Sequence, residues 1–431
     1  MKFEDTIKRN LFEKEIRQLL ASLEKEPTHS LLLNTKKISI EEFKNRFPLV
    51  TSHPLIENAF LYKKEDYEFG KMALYELGAY SIQDASSMLD IYFLNPKEGE
   101  IVLDLCAAPG GKTIGASLNM NNKGLILAND LSYERAKSLS SNIERMGCQN
   151  VIVTSNDFSK VFKKYPNTFD KIILDAPCSG SAMFRKNEEA KKLWSYSKVI
   201  ECSSIQKQLL DIAYYMLKPG GRIIYSTCSF SAEENEDVIK DFLARYDDIK
   251  IVKMNTPPSL FSSKILEGCL YALPYLFPGE GQFVCLLEKG NTKTTQYKPF
   301  KSNNKIINSL LEQYGLQNRS NIILNKCLYS GPLEFDISKL NVLRYGIKVT
   351  EITSQNTPEF ALARAYEGPE RIELSLEQAL KYLHGDTFPL TKNNGFYIVM
   401  FNNLNLGFIK VVNGIAKNYY PKGLRRMYKT I

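Results

Sequence analysis

No two cysteines in this chain of 431 residues are spaced Cys-x-x-Cys, and the three histidines, His29, His53 and His384, lie far apart. Zinc sites are built from clustered thiolates and imidazoles, so no metal is expected. No apolar run approaches membrane-spanning length, which excludes a membrane partner. The first ten residues, Met1-Lys-Phe-Glu-Asp-Thr-Ile-Lys-Arg-Asn10, hold no apolar signal-peptide core. A reducing cytoplasm suits both the missing signal and a set of free thiols. The glycine-rich segments match neither Gly-x-Gly-x-x-Gly nor Gly-x-x-x-x-Gly-Lys-Ser/Thr, so neither NAD nor ATP is the expected ligand. There is no internal repeat.

What is present is a chain long enough for two to four domains, with 44% apolar residues to build their cores. Its charge of +8 is uneven. Residues 289–431 carry 20 basic and 10 acidic side chains, against 36 and 38 in the rest. A basic excess confined to the C-terminal third is expected of a segment that meets phosphates, and taken alone equally of an ordinary solvated surface.

The pattern Leu11, Ile16, Leu19, Leu20, Leu23 predicts an amphipathic helix that Pro27 stops. Ser39, with Glu42 three residues on, predicts the cap of a second helix. Residues 30–34 and 59–62 read as short strands. From there, apolar runs at 101–104, 124–128, 150–154, 171–174, 221–225 and 282–287 alternate with helical patterns such as 133–146 and 202–217. This alternation predicts an α/β fold with a doubly wound parallel sheet. Residues 290–304 read as a linker, 306–314 as a helix, and 395–401 with 406–412 as part of a small β-rich domain. The expected division is a small α+β module over 1–75, a catalytic domain over 76–290, a linker with a small α+β domain over 291–370, and a C-terminal domain over 371–431.

Asp104-Leu-Cys-Ala-Ala-Pro-Gly-Gly-Lys-Thr113 follows the first central strand and opens a helix. Gly110 and Gly111 let the backbone approach a ligand closely. The next two strands end in Asp130, suited to the hydroxyls of a ribose, and Asp157, placed to meet an adenine amine. A glycine loop and two such acids on successive strands suit S-adenosylmethionine. Two further strands end in cysteines: Cys178 in Asp175-Ala-Pro-Cys-Ser-Gly180, and Cys228 in Tyr225-Ser-Thr-Cys-Ser229. Two thiols at the carboxyl ends of parallel strands point to covalent chemistry, one to attack and one to assist release. The residues alone do not order them.

These blocks, with Tyr80-Ser-Ile-Gln-Asp-Ala-Ser-Ser-Met88 and Gly279-Glu-Gly-Gln-Phe283, resemble the signatures of RNA 5-methylcytosine methyltransferases of the Nop/Sun type. Gly407-Phe-Ile-Lys410 and Lys417-Asn-Tyr-Tyr-Pro-Lys-Gly-Leu-Arg425 resemble the C-terminal RNA-binding domain of bacterial F-type 16S rRNA enzymes. The resemblance implies a Rossmann-like class I S-adenosylmethionine-dependent methyltransferase fold with a C-terminal PUA-like region. It implies an RNA partner, small-subunit rRNA or the 30S particle, met by a monomer. Cofactor contacts carried over are Cys106, Ala107, Ala108, Pro109, Gly110, Gly111, Lys112, Asp130, Asp157 and Asp175, with Arg135 in support. Attack on cytosine C6 falls to Cys228 and assistance in release to Cys178. Asp175 is expected to hydrogen-bond the cytosine, and Lys112 or the cofactor to supply charge that favours a thiolate. The family often has an arginine shortly before Asn34-Thr35, where this chain has Leu31-Leu-Leu33. In the C-terminal domain, Lys417, Lys422, Arg425 and Arg426 are expected to meet phosphates, and Tyr419 and Tyr420 to stack on bases.

Overall fold

The computed structural model describes residues 2–291, 308–353, 356–428 and 431. Most of the expected linker, 290–304, lies outside the described residues. No helix among the described residues is long and apolar enough to cross a membrane.

The alternating apolar runs form one large sheet. Its five parallel strands run in the order Leu217–Thr227, Phe169–Asp175, Ile101–Asp104, Leu125–Asn129, Val151–Thr154. The strand Gln282–Lys289 pairs antiparallel with Leu217–Thr227 and leads to Cys269–Ala272 and Phe261–Ser262. The centre is buried on both faces: Leu103, Leu127, Ile172 and Ile223 feed one core, and Val102, Ile126, Ile173 and Ile224 the other. Continuous apolar runs are what such doubly covered strands require. The helices Gly111–Asn119, Tyr133–Met146 and Tyr196–Met216 supply the crossovers. Ser132 caps the second of these and Gly147, at φ +75°, ends it. The opposite edge of the sheet holds a surprise. Val342–Tyr345, read from sequence as part of a separate small domain, pairs antiparallel with Val151–Thr154 and closes the catalytic sheet.

The first expected helix spans Glu13–Leu23, and the second, Ile40–Arg46, is capped by Ser39 accepting from the Glu42 amide. A four-stranded antiparallel sheet follows, in the order Thr51–Ser52, Ala59–Tyr62, His29–Leu33, Tyr80–Ile82. Its last strand lies beyond residue 75, so the module reaches further than the sequence pattern showed. Leu31 and Leu33 are fully buried in it, which explains apolar residues there. The module does not fold around a core of its own. Leu31, Phe43, Phe60, Phe69 and Tyr80 share one cluster with Tyr382, Leu406, Ile409 and Tyr420 of the C-terminal domain. Meanwhile Ile7, Leu11, Leu19 and Leu23 pack into the catalytic core.

The C-terminal domain is a five-stranded sheet in the order Arg371–Glu373, Gly395–Phe401, Leu404–Val412, Ile415–Asn418, Phe388–Pro389. The helix Leu376–His384, with a capping box at Ser375 and Gln378, covers it. Two expectations fail here. Tyr420 is 1% exposed and packs between Phe360 and Tyr382, so it cannot stack on a base; only Tyr419 is exposed. Arg425 donates to the Tyr420 carbonyl at 3.1 and 3.2 Å, holding the turn rather than facing solvent freely.

Candidate active site

The carboxyl ends of the parallel strands surround a cavity of about 590 Å³, within the range of about 300–1,000 Å³ that suits a small molecule. Cys106, Ala108, Asp130, Asp157, Asp175, Cys178 and Cys228 line it, and Phe158, Ile205 and Leu209 give it apolar walls. Ala107, Pro109, Gly110, Gly111 and Lys112 are not part of this lining. Gly111 and Lys112 open instead onto a second cavity of about 290 Å³ beside Gln83 and Asn58.

The loop after Asp104 is tightly held. Ala107 N–H donates to the Asn129 carbonyl at 2.7 Å, and Ala108 N–H to Asp130 Oδ2 at 3.3 Å. Gly110 has φ +113°, and a Cβ there would lie 2.8 Å from Leu139 Cδ1. Asp130 is almost fully buried; its Oδ1 accepts from the Ser132 amide at 3.0 Å. Arg135 donates to the Ala108 carbonyl at 2.8 Å and lies 3.4 Å from Asp130. It therefore ties the loop to the acid. Asp157 caps a short helix through Ser159, with Lys160 at 3.2 Å. The Ser159 hydrogen bonds hold its carboxyl below the usual range. The buried Asp130, the second acid Asp157 and the apolar wall of Phe158 and Leu209 fit the ribose and adenine of S-adenosylmethionine, so the lining agrees with that group.

The two strand-end cysteines meet. Cys178 Sγ and Cys228 Sγ are 2.7 Å apart, and both are free thiols. The Cys228 contact, then burial, push the Cys178 thiol well above its ordinary range. Burial likewise raises the Cys106 thiol. Lys112 cannot lend free charge to a thiolate. Its ammonium is 2.7 Å from Asp175 and 3.5 Å from Asp90, so two carboxylates already balance it. Asp175 Oδ1 also lies 3.3 Å from Gln282 Nε2 and 3.3 Å from Ser226 Oγ.

Sequence reading missed the residue that joins the two cysteine loops. Glu234 is fully buried and accepts from Ser179 N–H at 2.7 Å, Ser179 Oγ at 2.5 Å, Ser229 Oγ at 2.6 Å and Gln206 Nε2 at 3.3 Å. Ser179 follows Cys178 and Ser229 follows Cys228, so one carboxylate sets the spacing of both sulfurs. Burial raises its pKa. The only sequence signal was acid density in Glu233-Glu-Asn-Glu236, which reads equally well as a helix start. Asp90 was missed too. A lone acid in the apolar stretch Met88-Leu-Asp-Ile-Tyr-Phe-Leu94 is a recognisable mark of a buried carboxylate.

A further buried acid braces the loop at 279–282. Glu280, 2% exposed, receives Arg185 Nε at 2.7 Å and Nη2 at 3.1 Å, and the Thr28 amide at 3.2 Å. The N-terminal segment is anchored to the Cys228 loop as well: Asn10 donates to the Phe230 carbonyl at 2.9 Å, and Ser231 meets Thr6 at 3.0 Å.

Comparison with known proteins finds relatives over most of the chain. Residues 91–288 match the family model "16S rRNA methyltransferase RsmB/F". Residues 1–85 match "N-terminal domain of 16S rRNA methyltransferase RsmF", and 369–426 match "Methyltransferase RsmF PUA domain". Ribosomal RNA small subunit methyltransferase F of Enterobacter sp. (strain 638) is 32% identical over 94% of this chain and 92% of its own length. The protein of that name from Aeromonas salmonicida is 33% identical over 95% and 93%. Among solved structures, a methyltransferase homolog protein from Pyrococcus horikoshii superposes with a TM-score of 0.57 at 30% identity, over 66% of this chain and 93% of that one. NSun6 from the same organism, solved with SFG, gives 0.58 at 21% identity over 67% and 97%, a likeness of fold. The chain thus belongs to the 16S rRNA methyltransferase RsmB/F family, with that family's N-terminal, catalytic and PUA domains all present.

Proposed function

We propose that this protein methylates C5 of a cytosine in small-subunit rRNA through a covalent bond between Cys228 and C6 of the base. It does so in the reducing cytoplasm that free thiols require. The single observation that carries the reading is the meeting of Cys178 and Cys228, 2.7 Å apart, at the floor of a cavity that also holds Asp130 and Asp175. Cys106, Ala108, Asp130 and Asp157 would hold S-adenosylmethionine. When bound there, it supplies a methyl group on a sulfonium.

Cytosine C5 is a weak nucleophile. Attack of a thiolate at C6 moves electron density to C5 and divides one hard step into two. The resemblance favours Cys228 as nucleophile, and Cys178 Sγ, 2.7 Å from Cys228 Sγ, lies within hydrogen-bond reach of the departing sulfur and so supports its part as the group that assists release. Asp175, fixed by Lys112 and Gln282, is placed to hydrogen-bond the base and stabilise a proton on N3. The target base has to leave any helix to reach this depth.

The test is a trapped adduct. Cys178→Ala mixed with S-adenosylmethionine and small-subunit rRNA should give a slow band on a denaturing gel, and the double variant Cys178→Ala, Cys228→Ala should not. An adduct that persists in the double variant overturns Cys228 as the nucleophile. Absence of any adduct from a folded Cys178→Ala overturns the role given to Cys178.

A further inference from the structure

Behind Asp175 lies a carboxylate that methyl transfer, as described above, leaves unused. Asp90 sits in the helix Leu89–Leu94 and is fully buried. Its Oδ2 accepts the hydroxyl of Ser226 and lies 3.5 Å from Lys112 Nζ. The same hydroxyl is 3.3 Å from Asp175 Oδ1. One hydroxyl therefore bridges two carboxylates, and one ammonium pairs with both. We propose that Asp90, Ser226 and Asp175 form a proton relay in which Asp90 stores the proton that Asp175 delivers to N3 of the target cytosine. The relay rests on the reading that Asp175 faces the base.

The charge balance argues for a stored proton. Two ionised carboxylates and one ammonium would leave a net negative charge in a pocket where the Asp90 and Lys112 side chains are 0% and 11% exposed. Burial makes such a charge costly, and a buried group relieves it by binding a proton. One proton on the pair balances Lys112, and the neighbouring Asp104, which burial lifts to about 7, carries a proton of its own. Asp90 is the natural holder. Its Oδ1 has no hydrogen-bond partner among the described residues, whereas the Asp175 side chain is 34% exposed and takes the shorter Lys112 bond. Burial lifts the Asp90 carboxyl to about 7. The charged neighbours are Lys112 on the helix Gly111–Asn119, Asp175 on Phe169–Asp175 and Asp104 on Ile101–Asp104, the last buried against Thr113 Oγ1 at 2.6 Å. The strand Gln282–Lys289 brings the neutral Gln282, and Leu217–Thr227 brings Ser226. The carboxylates titrate together rather than singly.

The proton count closes over a cycle. As Cys228 sulfur bonds to C6, the C5–C6 π pair moves to C4–C5 and the C4–N3 π pair moves to N3. N3 takes a proton from Asp175 as the relay recharges it, since Asp175 itself rests ionised. Ser226 passes its hydroxyl proton to Asp175 and takes the one on Asp90. After methyl transfer C5 carries both its hydrogen and the methyl. A solvent base takes the C5 proton, the C5–H pair forms C5=C6 as the S–C6 bond breaks, and N3 gives its proton back along the same path. The relay ends as it began, and one proton, from C5, leaves to solvent.

Asp90→Asn keeps the size of the side chain and can still accept from Ser226, but it cannot carry the proton. Single-turnover methyl transfer to small-subunit rRNA is measured against pH for wild type, Asp90→Asn and Ser226→Ala. The wild-type rate should fall as pH rises through the titration of the pair. Asp90→Asn should be slower by about 10²-fold below that point and lack the alkaline limb. Ser226→Ala should show the same loss of rate. Infrared difference spectra supply a readout without turnover: a buried protonated carboxyl in wild type at neutral pH, absent in Asp90→Asn and retained in Ser226→Ala. An unchanged rate and pH profile in Asp90→Asn, or no such carboxyl band in wild type, overturns the relay. Cys228→Ala, assayed in parallel, separates the two ideas. If it still methylates, the covalent reading fails; if it is inactive while Asp90→Asn behaves as wild type, the relay alone fails.

Discussion

Replacing Glu234 by alanine should loosen both cysteine loops at once. Four donors converge on this carboxylate. They do not lose equally. Ser179 Oγ and Ser229 Oγ lie 3.4 Å apart and can bond each other, and Gln206 Nε2 keeps the Pro177 carbonyl at 2.9 Å. The Ser179 N–H has no such substitute, and an orphaned buried donor costs about 1–3 kcal/mol. The emptied volume adds a cavity term of about 2 kcal/mol. The two sum to about 3–5 kcal/mol, an upper range because the desolvation cost of the carboxylate is regained. For a domain of this size that is a fall in Tm of about 6–15 °C, read by scanning calorimetry. A shift of about 1 Å between the sulfurs should lower single-turnover methyl transfer by about 10²-fold, with cofactor affinity unchanged. Glu234→Gln keeps the volume and an acceptor for Ser179 N–H, so it should lose about 1 kcal/mol. The pH dependence gives a second check. Because the folded pKa of Glu234 is raised, the protonated form favours the fold. Stability from this group is present below the ordinary carboxyl value of about 4.3 and is lost as pH rises through the folded value. Glu234→Gln should remove that slope. Glu234→Ala with the Tm and rate of wild type would refute the reasoning.

Glu280→Gln should cost about 3–5 kcal/mol in denaturant unfolding, because Arg185, itself buried, is left without its carboxylate. Gly110→Ala should weaken S-adenosylmethionine binding by about tenfold in calorimetric titration, since φ +113° strains any side chain by about 1–3 kcal/mol and Leu139 must move. Lys417, Lys422 and Arg426 changed together to alanine should weaken RNA binding and flatten its salt dependence by about three units, one for each phosphate no longer neutralised. Arg425 is left in place because it holds the turn at Tyr420.

The features that local chemistry encodes were legible in the chain. Apolar runs marked the strands, Ser39 with Glu42 marked the start of the second helix, and the cysteines stood shortly after the ends of their strands. What could not be read were pairings across long stretches of sequence. Nothing local tells Val342–Tyr345 that its partner is Val151–Thr154, nearly two hundred residues earlier. Nothing in Tyr419-Tyr420 says which ring faces solvent, because Tyr420 is buried by Phe360 and Tyr382 from other elements. Glu234 and Asp90 hid for a related reason. Acids are expected at the surface, and only the donors that gather around these two reveal otherwise.

The most direct test of the central claim follows the methyl group. Small-subunit rRNA is incubated with the protein and S-adenosylmethionine carrying a deuterated methyl, digested to nucleosides and resolved by mass spectrometry. Wild type should place the label in 5-methylcytidine alone, and Cys228→Ala, with cofactor binding intact, should place none. Label in any other nucleoside, or labelled 5-methylcytidine from Cys228→Ala, would contradict covalent C5 methylation through Cys228.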